Sequence, residues 1–166
     1  MSKPTLQEAM KHRILILDGA MGTMIQQANL TAADFGGEEL EGCNEMLVLT
    51  RPDVIRGIHE AYLEAGADII ETNTFGATSV VLAEYGIADK AREINLAAAR
   101  LAVQAAAKFS TPDKPRYVAG SIGPTTKTLS VTGGVTFDEL ADSYYVQALA
   151  LIEGGVDALL IETCQD

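Results

Sequence analysis

The chain has 166 residues, 48% of them apolar and 21% charged, enough apolar material for one sizeable core and too much for a disordered chain. Twelve basic against 23 acidic residues give a formal net charge of -11, which leaves no excess of cations to neutralise a nucleic-acid backbone or an anionic membrane surface. Two cysteines, Cys43 and Cys164, make neither a disulfide framework nor a CxxC metal pair, and the apolar run at 14–17 is too short for a signal peptide or a membrane span, a pattern that fits a soluble cytoplasmic protein.

Arg13-Ile-Leu-Ile-Leu17, stopped by Asp18-Gly19, is aliphatic and barely alternates, as expected of a first strand buried on both faces. A Gly-rich polar stretch at 29–44 follows. Thr50-Arg-Pro-Asp53 then opens a helix, with Thr50 as candidate cap, Pro52 in the first turn and Asp53 at the positive end of the dipole. The helix should end near Gly66, with Val54, Ile55, Ile58, Ala61, Tyr62 and Ala65 on one face. Residues 67–72 read as the second strand and Asn73-Thr-Phe-Gly76 as a turn. Two Ala-rich helical segments at about 78–85 and 89–108 precede Pro112 and Pro115, and residues 116–121 are the third strand. The capping-box spacing Thr136-Phe-Asp-Glu139 opens another helix, Gly154-Gly155 ends it, and residues 156–162 are the fourth strand.

Glu64-Ala-Gly-Ala-Asp-Ile-Ile-Glu-Thr72 is echoed by Glu153-Gly-Gly-Val-Asp-Ala-Leu-Leu-Ile-Glu-Thr163, so the chain repeats a unit of helix end, glycine, strand and Glu-Thr. Alternating strands and helices require a parallel sheet, because each return crossover carries a helix. Four such strands suit a small open α/β sheet or about the first half of a (β/α)8 TIM-type barrel occupying 1–166. Polar residues at each strand's C-terminal end (Asp18, residues 71–73, Ser121 and Glu162) favour the barrel, whose sites are assembled at that rim.

Asp18-Gly-Ala-Met-Gly-Thr23 combines a carboxylate with glycines that bring backbone N–H groups near a ligand, although Asp-Gly is also an ordinary tight turn. It lacks the Lys of a P-loop and the third Gly of a dinucleotide fingerprint. Asp18, Glu71 and Glu162 on one rim would favour a cationic ligand group, while for Glu71 a plain strand exit is the stronger reading. Asn73 and Thr74 offer amide and hydroxyl groups, or a turn around a buried Phe75. Gly120-Ser-Ile-Gly-Pro124, with Thr125, Thr126 and Thr128 beyond it, is a second glycine-rich loop or an ordinary βα turn. Cys43 and Cys164 read as small structural residues, and neither His12 nor His59 sits at the rim.

Leu17-Asp-Gly-Ala-Met-Gly-Thr23, Gly42-Cys-Asn-Glu45, Gly66-Ala-Asp-Ile-Ile-Glu-Thr-Asn-Thr-Phe75, Ile94-Asn-Leu-Ala-Ala98, Val118-Ala-Gly-Ser-Ile-Gly-Pro-Thr125 and Leu160-Ile-Glu-Thr163 stand in an order and spacing that resembles the homocysteine S-methyltransferase family, in its cobalamin-dependent branch. The resemblance runs from about Ile16 to Asp166. It implies a (β/α)8 barrel that binds homocysteine at its rim, with Asp18 and Glu162 on the amino group and groups around Gly19, Asn73 and Thr74 receiving the carboxylate. It also implies that the parent enzyme uses zinc, held by three cysteines, to keep the homocysteine sulfur a thiolate that attacks a methyl group carried on cobalamin. Cys43 and Cys164 do not match those cysteine positions, and no Cys-Cys pair is present. The expectation is therefore an N-terminal fragment with no catalytic or metal-ligating residues of its own and no bound cofactor, inactive alone. Its partners would be homocysteine, the remaining half-barrel, the folate and cobalamin domains, and a second copy through self-association. The competing readings are a non-catalytic half-barrel assembly module and a barrel enzyme for a phosphorylated substrate, the latter disfavoured by the acidic rim.

Overall fold

In the computed structural model, which describes residues 3–129 and 133–164, strands β1 (Ile69–Glu71), β2 (Tyr117–Ile122) and β3 (Ala158–Ile161) form a parallel sheet in the order β1-β2-β3. Ile69 lies opposite Tyr117, and Ala119 opposite Ala158. Around the sheet run helices α1 (Leu6–Met10), α2 (Met21–Gln27), α3 (Ala32–Phe35), α4 (Leu47–Thr50), α5 (Pro52–Ala65), α6 (Ser79–Leu82), α7 (Ala91–Phe109) and α8 (Phe137–Gly154). Helix α5 leads into β1, α7 returns the chain from β1 to β2, and α8 from β2 to β3, the crossovers that parallel pairing demands.

The sheet has three strands among the described residues, so the expectation of four is corrected. Residues 13–17 run beside β1 but make only a single parallel bridge, Leu17 to Ile69. The reason is Asp68. Its carboxylate accepts the Ile16 N–H at 2.9 Å and two bonds from the Arg13 guanidinium at 2.8 Å, replacing a ladder by a side-chain clasp. The backbone then closes with Ile69 N–H to Ile16 O at 3.0 Å and Asp18 N–H to Ile69 O at 2.9 Å. Among the described residues nothing pairs the outer side of this segment, where Ile14 is 87% exposed.

The helix signals are mostly met, with shifts at the ends. Thr136 accepts the Glu139 N–H and Glu139 accepts the Thr136 N–H at 2.8 Å, the capping box expected for α8. Thr50 does not cap α5. Its hydroxyl donates to Met46 O in the preceding turn, and Arg51 stands at the N-cap without a side-chain bond. The stretch at 29–44 contains α3 and a 3-10 turn, Glu38–Leu40, with Asp34 accepting the Thr31 N–H at 2.8 Å. These turns are too short to show an apolar period, which is why the sequence pattern passes over them.

Helices α5 and α7 share two clusters of the core, one holding Ile55 and Ile94 and the other Leu63 and Ala102, while Leu151 of α8 packs with Ala99 and Ile122. Each fully buried aliphatic side chain contributes roughly 1.5–3 kcal/mol of transfer free energy. Gly154 lets α8 approach α7, since a Cβ there would overlap the Ala99 side chain. Gly155, at φ 93°, then takes the left-handed conformation that ends the helix. β2 is buried along its whole length, whereas in β3 alternate residues are exposed, Ile161 at 71%.

His59 lies wholly buried on α5, with neither ring nitrogen partnered among the described residues, and burial pushes its pKa down to about 4. The unfolded chain binds this proton near the ordinary 6.5 and the folded chain only near 4, so stability falls as pH drops through that window. The gap corresponds to about 3 kcal/mol. Urea titrations of His59→Leu should show no loss at neutral pH and a shallower decline between pH 6.5 and 4 than the parent chain. An equally steep decline would mean that the imidazole charges without penalty.

Candidate functional site

Because the strands are parallel, their C-terminal ends share one rim, and the chain places Asp18, Glu71, Ser121 and Glu162 there. A cavity of about 650 Å3 opens between them, also lined by the 19–23 loop, Asn44, Glu45 and the 72–75 turn. Four lining residues carry carboxyl groups, Asp18, Glu45, Glu71 and Glu162, and none is Lys, Arg or His.

Both carboxylate oxygens of Asp18 accept the Glu71 N–H, at 3.2 and 3.1 Å. Burial raises the Asp18 pKa to about 7 against the lowering effect of that bond, and the nearby Glu162 adds to the rise. Burial likewise lifts Glu71 to about 7, with the charge and hydrogen bond of Glu162 and the charge of Asp18 behind it. Glu162 accepts the Ser121 hydroxyl at 2.5 Å. Glu45 accepts the Gly76 N–H at 2.8 Å.

The turn after β1 is held from within. Thr74 Oγ1 donates to Ser121 O at 2.7 Å, which uses its one proton, so Thr72 donates to Thr74 across 2.6 Å and itself accepts the Ser121 N–H at 3.0 Å. From α8, Gln147 Nε2 donates to Thr74 O at 2.7 Å, and from α7, Asn95 Nδ2 donates to Ala77 O at 2.7 Å. The loop after Asp18 rests on α5, where Tyr62 donates its hydroxyl to Ala20 O and lies where a Gly19 Cβ would come within 3.1 Å.

Asp18, Gly19, Asn73, Thr74 and Glu162 thus all line one cavity. The Thr74 hydroxyl is spent on Ser121, whereas Asn73 Nδ2 gives one of its two protons to Asn44 O at 2.8 Å. Phe75 is 42% exposed and lines the cavity, which corrects the turn built around a buried ring. Thr125, Thr126 and Thr128 do not line it. Gln147 and Asn95 were overlooked by sequence reasoning. Their signal was present as amides on otherwise apolar helix faces, next to Tyr144, Ala148 and Leu151 in one case and Ile94 and Ala98 in the other.

The described residues do not fit a zinc site. No group of three or more His, Cys, Asp or Glu is arranged to hold a metal ion among them. Cys43 is fully buried, its thiol pushed up to about 11 chiefly by burial, and the Cys164 thiol sits 3.8 Å from Ile122 O. No helix among the described residues is long and apolar enough to cross a membrane.

Comparison with known proteins identifies a family described as homocysteine S-methyltransferase, matched over residues 15–166. Methionine synthase of Mycobacterium leprae (strain TN) is 49% identical over 161 residues, 97% of this chain and 13% of that relative. Methionine synthase of Mycobacterium tuberculosis (strain ATCC 25618 / H37Rv) is 47% identical over 161 residues with the same coverage. The chain therefore spans 13% of the length of these curated relatives. Among solved structures, the metallated form of the homocysteine methyltransferase MmuM from Escherichia coli superposes with a TM-score of 0.77 at 23% identity, over 96% of this chain and 57% of that one. Its oxidised form gives 0.75 at 22% identity, over 95% and 56%. At these identities the likeness establishes the shared fold.

Replacing Thr74 by Val leaves the Ser121 carbonyl without its donor and the Thr72 hydroxyl without its acceptor. Chemical denaturation should register a loss of about 1–3 kcal/mol. A change below half a kilocalorie would show that the ring is dispensable.

Proposed function

This chain belongs to the homocysteine S-methyltransferase family, and we propose that it is the part of a methionine synthase that grips homocysteine by its amino-acid head. The observation that carries the reading is the cavity itself, in which carboxyl groups converge and no cationic side chain answers them. Such a site attracts an ammonium group, whose charge draws the raised carboxyls of Asp18 and Glu71 into the ionised form. Asp18 and Glu162 hold the amino group from the two outer segments of the same rim. The ligand carboxylate is received by backbone and side-chain groups around Gly19 and the Asn73–Thr74 turn, the Thr74 hydroxyl being engaged by Ser121 and one Asn73 amide proton by Asn44.

In this reading the sheet is about the first half of a (β/α)8 barrel in a cytoplasmic enzyme, supported by the strand and helix order and by the likeness to MmuM over 57% of its chain. Methyl transfer to the homocysteine thiol belongs to the parent enzyme, with zinc, cobalamin and the folate domain supplied by its other parts. The residues described here offer no zinc ligand set, and their contribution is to bind and orient. The 166-residue chain by itself is expected to be inactive.

A second reading, an assembly module, is favoured by one observation. Ile14 and Ile16 on one sheet edge and Leu159 and Ile161 near the other are exposed apolar residues flanking strand backbone that has no partner among the described residues. The two readings separate in binding assays. Asp18→Ala and Glu162→Ala should each weaken homocysteine binding at least tenfold by titration calorimetry, about 1.4 kcal/mol or more, with circular dichroism unchanged. Affinity indifferent to both changes would leave assembly as the function. For the 166-residue polypeptide, sedimentation velocity at tens of micromolar should show a dimer joined through the open edges, and a stable compact monomer would count against such pairing.

A further inference from the structure

The end of the sheet opposite the rim, where β2 and β3 begin, holds a second cavity of about 260 Å3. Val103 and Ala107 of α7 and Val118 of β2 give it an apolar wall, and Lys3, Ser110, Arg116 and Asp157 give it a polar side. The charges there do not cancel. Lys3 Nζ lies 2.7 Å from Asp157 Oδ1, and Asp157 also accepts the Val118 N–H at 2.9 Å, so that pair is satisfied within itself.

Arg116 is left over. It is only 8% exposed, and its Nη1 donates to Ala67 O. Among the described residues its buried Nε has no partner, and no carboxylate forms an ion pair with it. Ala67 O and the carbonyl end of α7 supply partial negative charge only. Arginine keeps its charge in proteins, so it cannot be buried in a neutral form, and an unpaired buried charge is costly. Ser110 stands beside it. Its Oγ accepts the Arg116 N–H at 3.1 Å, and a hydroxyl that accepts still has a proton to give.

We propose that this cavity binds a small carboxylate anion with a short hydrocarbon chain. Arg116 and Ser110 take the carboxylate, and the chain lies against Val103, Ala107 and Val118. One carboxylate brings the single negative charge that Arg116 lacks and leaves the Lys3–Asp157 pair as it is. A phosphate dianion overshoots that balance beside Asp157 and makes no use of the apolar wall. An amino acid would bring an ammonium group toward Arg116 and Lys3, so the ligand differs in class from that of the rim, and the site does not depend on what the rim binds.

Methyl NMR of the 166-residue chain, titrated with butyrate at constant pH, tests the proposal. Butyrate should shift the Val103, Ala107 and Val118 methyl signals along a saturating curve and leave Met21, at the rim, in place. Butanol, which has the chain without the charge, and inorganic phosphate, which has charge without the chain, should each bind at least tenfold more weakly. Arg116→Met keeps most of the side chain's length and removes its charge, and should lower butyrate affinity at least tenfold. Ala107→Phe, at an exposed position of α7, fills the apolar end without touching Arg116 and should do the same with circular dichroism unchanged. If Arg116→Met does not fold, Ala107→Phe and the butanol comparison decide. No saturating shift at tens of millimolar butyrate, butanol or phosphate binding as well as butyrate, or unchanged affinity in either folded variant would overturn the proposal.

Discussion

Three hydrogen bonds among Thr72, Thr74 and Ser121 close a buried ring between the exits of β1 and β2, and the rim of the sheet is organised around it. The ring aligns two chain segments 47 residues apart in sequence. Ser121 then extends the tie to β3 by donating its hydroxyl to Glu162. One serine thus links the C-terminal ends of three strands, and a buried partner left unmatched would cost more than each bond gains. Gln147 and Asn95 approach from the helix layer and satisfy carbonyls of the same turn, so sheet and helices specify the loop together.

That rigidity allows an arrangement of charge that a looser rim would relax. Asp18 and Glu71 have folded pKa values near 7, well above the ordinary carboxyl range. The folded chain consequently binds more protons than the unfolded one between that range and neutrality, and stability falls as pH rises through it. His59 acts in the opposite sense over much of the same window, being penalised as pH falls toward 4. The ligand-free chain is therefore drawn two ways near weakly acidic pH. The carboxyl side of this balance is relieved when a cation enters the cavity, which makes the site a place where stability is exchanged for binding.

The sheet edges follow from how each strand is satisfied. Among the described residues β2 has neighbours on both sides and is buried throughout, while β3 and the 13–17 segment each have one. The aliphatic pattern of 13–17 suited a doubly buried strand because the residues carry that preference whether or not a partner is present. The Asp68 clasp holds the segment in place without a ladder, and its charged bonds to Arg13 stand where further backbone pairing would have stood.

By itself the sequence determined the alternation of strands and helices, the capping box at Thr136, the glycine stops, and the placing of Asp18, residues 71–73, Ser121 and Glu162 at one rim. Each of these rests on local periodicity, on backbone preference, or on the rule that parallel strands end on the same side. Only the tertiary structure decided that the Thr74 hydroxyl is consumed by Ser121 and one Asn73 amide proton by Asn44, that Thr50 closes a turn instead of opening a helix, and that Glu71 sits between Asp18 and Glu162. Those outcomes depend on which groups meet across tens of residues and on how much water remains around them. Neither quantity is written in the spacing of residue types, because burial and hydrogen-bond partnership are settled only when the elements pack.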